Sequence, residues 1–175
     1  MSKFGKIYEL KTSKGLCYLQ YVNEYKEPPR YGDLVRVLDG FYKKTPDQSE
    51  LEKLVAKKEI YYTFIPLRAS TNRKDIVLVG QVGVTDDFKE LPVFKVDRGR
   101  NFATGKANSW GLWNKGTSSG IAGEEASGKY LDLPILGTEN ITSIKWSLEN
   151  GWLPRYDGLI IGSEEYRKRF KQPAE

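Results

Sequence analysis

The sequence predicts an α+β protein whose main element is a strongly bent, mainly antiparallel β-sheet flanked by two or three helices. Two observations predict this fold class. Short segments rich in β-branched and aromatic residues succeed one another, separated by glycine and proline turns. Between and after them lie segments with helical spacing of apolar residues and capping residues at their ends. The glycines between the N-terminal strands would also suit a barrel-like N-terminal half.

The first elements are predicted to be a β-hairpin and a third strand. Residues 6–10 and 16–22 are separated by "KTSKG", a Gly-ended turn whose length suits a hairpin. Two consecutive prolines, Pro28 and Pro29, then interrupt any strand ladder. An extended pattern resumes at residues 34–38, which predicts the third strand.

The clearest helix is predicted for residues 45–58. Thr45 is expected to cap this helix, and Gln48 completes a capping box with it. Two C-terminal helices are predicted at residues 138–151 and 163–170 from their apolar spacing and charge distribution. The apolar residues that share one face of the first helix, and so are expected to cover the sheet, are Leu51, Leu54 and Val55.

Two further segments, residues 60–67 and 75–84, are predicted to be central strands, because they are apolar at consecutive positions. Another short strand is predicted for residues 92–96. Residues 98–128 are polar and rich in glycine apart from two tryptophans. This composition predicts a long functional or mobile loop.

Length and composition predict one folded domain over residues 1–175, because 39% of the residues are hydrophobic and 13% are aromatic. The N-terminal segment has charges at short intervals and no continuous apolar run, so neither a secretory signal nor a membrane span is predicted. The only cysteine, Cys17, lies among apolar residues and is expected in the core. A lone cysteine agrees with a reducing compartment, and we expect a cytoplasmic protein.

The residue inventory excludes many kinds of catalytic site. The chain has no histidine, which excludes Ser-His and Cys-His pairs and the common zinc sites. A phosphate loop is also excluded, because one residue too many separates Gly99 from Gly105 and Ala107 follows Lys106. We therefore expect no enzyme activity, no cofactor and no metal ion. An enzyme that works through carboxylates is the least favoured alternative.

Binding is the role that remains. Arginine and large aromatic residues are enriched at protein interfaces, and residues 98–116 combine both types. We expect this segment to form a protein-binding surface with Trp110 as its exposed anchor, and the Pro-containing loop supplies further candidates. Strand alternation would place Trp113 on the opposite face from Trp110, so a position in the core stays open for either ring. The candidate partner-binding residues are Trp110, Arg98, Arg100, Lys106, Tyr25 and Arg30.

The charge leaves a second class of function open. The net charge of +5 gives weak support for an acidic partner. The alternative is a small β-barrel that binds single-stranded nucleic acid through Trp110, Tyr25 and the basic side chains of the first hundred residues. Nucleic acid is the less favoured partner, because the chain has no long run of basic residues.

A series of short segments rich in glycine, proline and aromatic residues follows one another along nearly the whole chain. These segments are, in order, "FGKIYELKTSKGLCYLQYV", "YGDLVRVLDGFY", "YYTFIPLRAS", "IVLVGQVGV", "LPVFK", "WGLWNKG", "LDLPILGTENIT" and "GWLPRYD". Together they resemble the immunity protein 26 family of bacterial toxin-immunity systems. The resemblance implies a small, mostly β, cytoplasmic protein that neutralises a cognate toxin domain delivered by neighbouring bacteria. It implies no enzyme activity and no cofactor.

The family offers no binding residue that can be carried over to this chain, so the candidates rest on their residue types. Immunity proteins to nucleases are often acidic, because they imitate the substrate of the toxin. This chain is basic. A nuclease toxin would then be blocked away from its substrate groove, or the toxin has another activity.

Overall fold

The fold is α+β, as predicted. The computed structural model describes residues 3–86, 90–101, 103–123, 128–159 and 163–170. Within these ranges the chain forms a five-stranded sheet, a three-stranded sheet and four α-helices. Neighbouring strands are antiparallel in both sheets.

The chain divides into two compact units. Residues 1–92 and 137–145 make up the first unit, and residues 93–136 and 146–175 make up the second. The single domain predicted over residues 1–175 stays a prediction.

The first unit contains the five-stranded sheet, in the order β4-β3-β2-β1-β5. The predicted hairpin and third strand are confirmed. The described part of this sheet ends at β4 on one side and at β5 on the other, so the barrel-like N-terminal half is wrong for these residues. The strands are β1 (Lys6–Thr12), β2 (Gly15–Tyr25), β3 (Gly32–Leu38), β4 (Glu59–Ile65) and β5 (Val77–Gln81).

The two strands predicted to be central lie at the edges of the sheet. In β5 the side chains of Val77 and Leu78 are 55% and 47% exposed. The outer side of β4 is covered, because Phe64 forms a bridge with Thr138 and accepts a hydrogen bond from the Glu139 N–H at 2.8 Å. A run of apolar residues indicates that both faces of a strand are apolar, but it does not indicate where the strand lies in the order of the sheet.

All three predicted helical segments contain a helix in the described part of the chain, and one further helix was not predicted. The helices are α1 (Gln48–Val55), α2 (Leu67–Asn72), α3 (Ile141–Asn150) and α4 (Glu164–Arg169). The first is shorter than expected, and α2 was missed. The sequence also favours a core position for Trp146, and this prediction is wrong, because the residue is 40% exposed. Among the described residues, no helix combines the length and apolar character needed to cross a membrane.

Helix α1 begins later than its predicted cap. Asp47 caps the helix and forms a reciprocal capping box with Glu50. The hydroxyl of Thr45 instead donates to the Glu9 carboxylate at 2.8 Å. The predicted apolar face is confirmed: the buried residues of α1 and of the sheet that form one cluster are Leu51, Leu54, Val55, Ile7, Tyr18 and Leu38.

A buried arginine joins α1 to the sheet. Arg36 lies opposite Gln20 in the strand register, and its Nε donates to Gln20 Oε1 at 2.7 Å. Its Nη2 donates to the carbonyl of Val55, the last residue of α1, at 2.5 Å. A cation at the end of a helix is favourable, because the carbonyls there carry partial negative charge. Burial lowers the pKa of Arg36, and the nearby Tyr62 and Glu59 act in the opposite direction.

The second unit contains the three-stranded sheet. Its strands are β6 (Phe94–Asp97), β7 (Trp110–Asn114) and β8 (Thr117–Gly123). Residues 98–128 are therefore not one long loop. The two residues between β7 and β8, Lys115 and Gly116, have φ of 45° and 88°. Two positive φ values are what a type I′ hairpin turn requires, and Gly116 meets this requirement without strain.

Candidate partner-binding site

The six predicted partner-binding residues lie in both units. Tyr25 and Arg30 belong to the first unit, and Arg98, Arg100, Lys106 and Trp110 belong to the second.

In the second unit, β6 and β7 form a hairpin, and part of the segment between them continues the backbone pairing of these two strands. The Arg98 N–H donates to the Ser109 carbonyl at 2.9 Å, and the Asn108 N–H donates to the Gly99 carbonyl at 2.8 Å. The segment that was expected to be a loop is thus tied by ladder-like hydrogen bonds for part of its length.

Arg100 is engaged by acidic residues of its own unit. Its Nη2 donates to Asp97 Oδ2 at 2.8 Å and to Asp157 Oδ2 at 2.7 Å, and its Nη1 donates to the Gly105 carbonyl at 2.7 Å. Several charge-assisted hydrogen bonds of this kind hold an arginine firmly in place. Arg100 therefore stabilises the hairpin, and its nitrogens already have acceptors.

Trp110 lies in the interior, so its expected exposure is wrong. The side chain is 3% exposed, and Lys95 Nζ lies 4.9 Å from the centre of its ring. Strand β7 is the middle strand of its sheet, and both of its faces are covered. On the other face Trp113 packs edge-on against Phe94, with 5.6 Å between ring centres. The predicted alternation of the two tryptophans is confirmed by the register of β6 and β7.

Arg98 is the exposed member of this group. Its side chain lies across the backbone of Gly111, where a Cβ atom would come within 2.6 Å of Arg98 Nε. Lys106 is half-buried. Of the four candidates in the second unit, Arg98 is the residue best placed to meet a partner.

Sequence reasoning missed the buried lysine beside Trp110. Lys95 is 1% exposed, and its Nζ donates to the carbonyls of Leu131 at 2.9 Å and Pro154 at 2.7 Å. Burial lowers the pKa of Lys95 to about 8, against the opposing effect of Asp157 and Asp132. The sequence predicts only the short strand that contains this lysine, at residues 92–96, and not its burial.

The free energy of unfolding of the unaltered chain is expected to rise with pH because of Lys95, and replacing Lys95 with methionine should remove this rise. The pKa of Lys95 is about 8 in the folded chain and 10.5 when unperturbed, so the unfolded state binds more protons between these values. The free energy of unfolding of the unaltered chain should therefore rise by about 2 kcal/mol from about pH 7 to about pH 9.5. Urea denaturation at both pH values measures this rise.

The measurement stops at about pH 9.5 because tyrosines begin to ionise above this value. Burial raises the pKa of Tyr18 and Tyr21 in the folded chain, so the tyrosines of the unfolded chain ionise first and the free energy of unfolding falls as the pH rises further. An equal rise in the Lys95→Met variant would contradict the assignment.

In the first unit, Tyr25 and Arg30 line one open cleft of about 360 Å³, the Pro-loop cleft. Strand β2 ends at Tyr25 and β3 begins at Gly32, so the loop between paired strands forms one wall. Gly32 has φ of 102°, and a Cβ atom there would lie 3.1 Å from the Ile65 carbonyl oxygen. Glycine is thus required where this wall approaches β4. The remaining lining residues are Lys3, Glu24, Lys26 and Asp33.

Charges of both signs line the Pro-loop cleft. Lys26 Nζ lies 2.7 Å from Glu24 Oε1, and this hydrogen bond lowers the pKa of Glu24. Lys3 Nζ lies 3.6 Å from Asp33 Oδ1, whose pKa is raised by burial. Arg30 is exposed and has no carboxylate partner among the described residues. Its guanidinium is the cation of the cleft that stays available to an incoming acidic group.

Aromatic packing supports the same wall. The ring of Tyr25 lies 6.0 Å from that of Tyr31, which stacks on Phe64 at 5.5 Å. The Tyr31 carbonyl also accepts a hydrogen bond from Thr138 Oγ1 at 2.8 Å. The cleft is therefore a preformed surface suited to recognition by charge and shape.

No known protein family, curated protein or solved structure matches this chain.

Proposed function

We propose that the chain is an immunity protein that binds a cognate bacterial toxin domain in the cytoplasm and neutralises it. The observation that supports this proposal best is the exposed guanidinium of Arg30 at a preformed cleft, whose wall is held by the packed ring of Tyr25. Arginine is among the residues that contribute most to protein interfaces. The resemblance to the immunity protein 26 family agrees with this role, within contact-dependent or polymorphic toxin systems.

The geometry favours a protein partner over single-stranded nucleic acid. Base stacking needs an exposed ring, whereas Trp110 is buried and Tyr25 is 8% exposed. Two carboxylates, Glu24 and Asp33, also line the cleft and would repel phosphates. A protein surface that offers both acidic and basic side chains fits this mixed lining better.

Co-expression tests the proposal. A toxin domain encoded immediately upstream should arrest growth alone, and the chain should restore growth and co-purify with the toxin in a one-to-one complex. We expect a Kd of roughly nanomolar or below, because protection requires nearly complete occupancy. Failure to rescue growth would refute the proposal. Retention on an oligonucleotide at about 0.1 M salt, without toxin binding, would favour the nucleic-acid function instead.

Replacing Arg30 with alanine is expected to weaken toxin binding about tenfold or more, about 1.4 kcal/mol, because the toxin loses a pairing cation. Thermal stability should not change, since this side chain is exposed. Arg73→Ala is the matched control, because Arg73 is an exposed arginine of the same unit that does not line the Pro-loop cleft. Titration calorimetry compares the two variants, and equal affinities would contradict the assigned contact.

A further inference from the structure

A second cleft in the first unit lies between α1 and the loop that follows β3. Its volume is about 410 Å³, which is within the range of small-molecule sites, about 300 to 1,000 Å³. Phe41, Tyr42 and Leu54 form much of its apolar lining. We call it the lysine-rimmed cleft, after the four lysines that complete its wall, Lys43, Lys44, Lys53 and Lys57.

The apolar part of this cleft is preformed. Tyr42 exchanges two backbone hydrogen bonds with Leu16 of β2, at 2.8 and 2.9 Å. Its ring packs edge-on against Tyr18, with 5.5 Å between ring centres. Leu54 is buried in the core cluster. Neither wall has to reorganise for a ligand to enter, which reduces the entropic cost of binding.

The charge at the rim is strongly positive. Glu50 is the only acidic lining residue, and it already accepts a hydrogen bond from the Asp47 N–H at 2.9 Å and lies 3.9 Å from Lys44 Nζ. Lys43, Lys53 and Lys57 are exposed, and no carboxylate among the described residues pairs with them. An apolar floor thus lies beneath three ammonium groups that have no carboxylate partner among the described residues.

We propose that the lysine-rimmed cleft binds a small organic anion with an apolar body, of the aromatic carboxylate class. The aromatic body fills the space beside Phe41 and Tyr42, and the carboxylate lies among the ammonium groups of the rim. A concave cleft of this volume suits a small molecule better than the flat surface of a protein. The site shares no residue with the Pro-loop cleft, so the proposal is independent of toxin binding.

Titration calorimetry with 2-naphthoate tests the proposal, with 2-naphthalenemethanol as a neutral analogue and acetate as an anion without the apolar body. We expect 2-naphthoate to bind at least about fivefold more tightly than either. Lys57→Gln should weaken its binding about two- to threefold. Lys58→Gln is the matched control, because Lys58 is exposed and adjacent in sequence but does not line the cleft.

Phe41→Ala should also weaken the binding of 2-naphthoate, and thermal denaturation checks that this variant is folded. Equal binding of the neutral analogue would overturn the proposal, as would equal losses in Lys57→Gln and Lys58→Gln. Displacement of 2-naphthoate by oligothymidylate at sub-stoichiometric amounts would instead identify a nucleic-acid groove, which also overturns it.

Discussion

Replacing Arg36 with methionine is expected to lower the free energy of unfolding by about 3 to 5 kcal/mol. The change removes the donor to the Val55 carbonyl and to Gln20 Oε1, and it leaves Glu59 without the cation that lies 3.9 Å away. Buried polar groups that lose their partner cost more than the hydrogen bond itself was worth. Urea denaturation measures the loss.

Arg73→Met is the control for this prediction, because Arg73 forms an exposed ion pair with Asp75. Its loss should cost about 0.5 kcal/mol or less. Adding Glu59→Met to the Arg36→Met variant should recover part of the stability, since the unpaired carboxylate is then removed. Similar small losses in both single variants would show that Arg36 does not hold α1 to the sheet.

Replacing Trp110 with alanine is expected to cost about 3 to 5 kcal/mol of folding stability, because a large buried ring is lost and a cavity remains beside Lys95. The folded fraction should keep its affinity for the toxin. Trp146→Ala is the matched control, because Trp146 is 40% exposed and its ring centre lies 5.7 Å from that of Phe170. We expect this variant to lose about 1 kcal/mol of folding stability. An unchanged melting temperature in Trp110→Ala, with lost binding, would restore Trp110 as an anchor.

The sequence predicted the elements whose signals are local. The hairpin of β1 and β2, the apolar face of α1 and the helices α3 and α4 all follow from periodicity, turn residues and caps within a few residues. The order of the strands did not follow, because the pairing of β1 with β5 joins residues far apart in the chain. Strand β8 was missed because serine and glycine rarely form strands without partners, whereas β7 was left open as an alternative to a loop.

The candidate site was predictable to the same degree. Tyr25 and Arg30 lie at the ends of one short loop between paired strands, so their proximity is a local property. The lysine-rimmed cleft depends on the bridge between Leu16 and Tyr42, and the burial of Lys95 depends on carbonyls from two distant segments. No pattern within a few residues of Lys95 indicates that its charge is buried.

The exposed strand β5 bears on how concentrated solutions of the protein behave. In the described part of the chain only β1 pairs with it as a strand, and Val77 and Leu78 on it are exposed. Such an edge is a template for strand addition between copies, and hence for fibrous association. Two features oppose this: the strand is only five residues long, and the charged residues Arg73, Lys74 and Asp75 precede it closely. The short length of β5 and the charges next to it should therefore limit strand addition between copies.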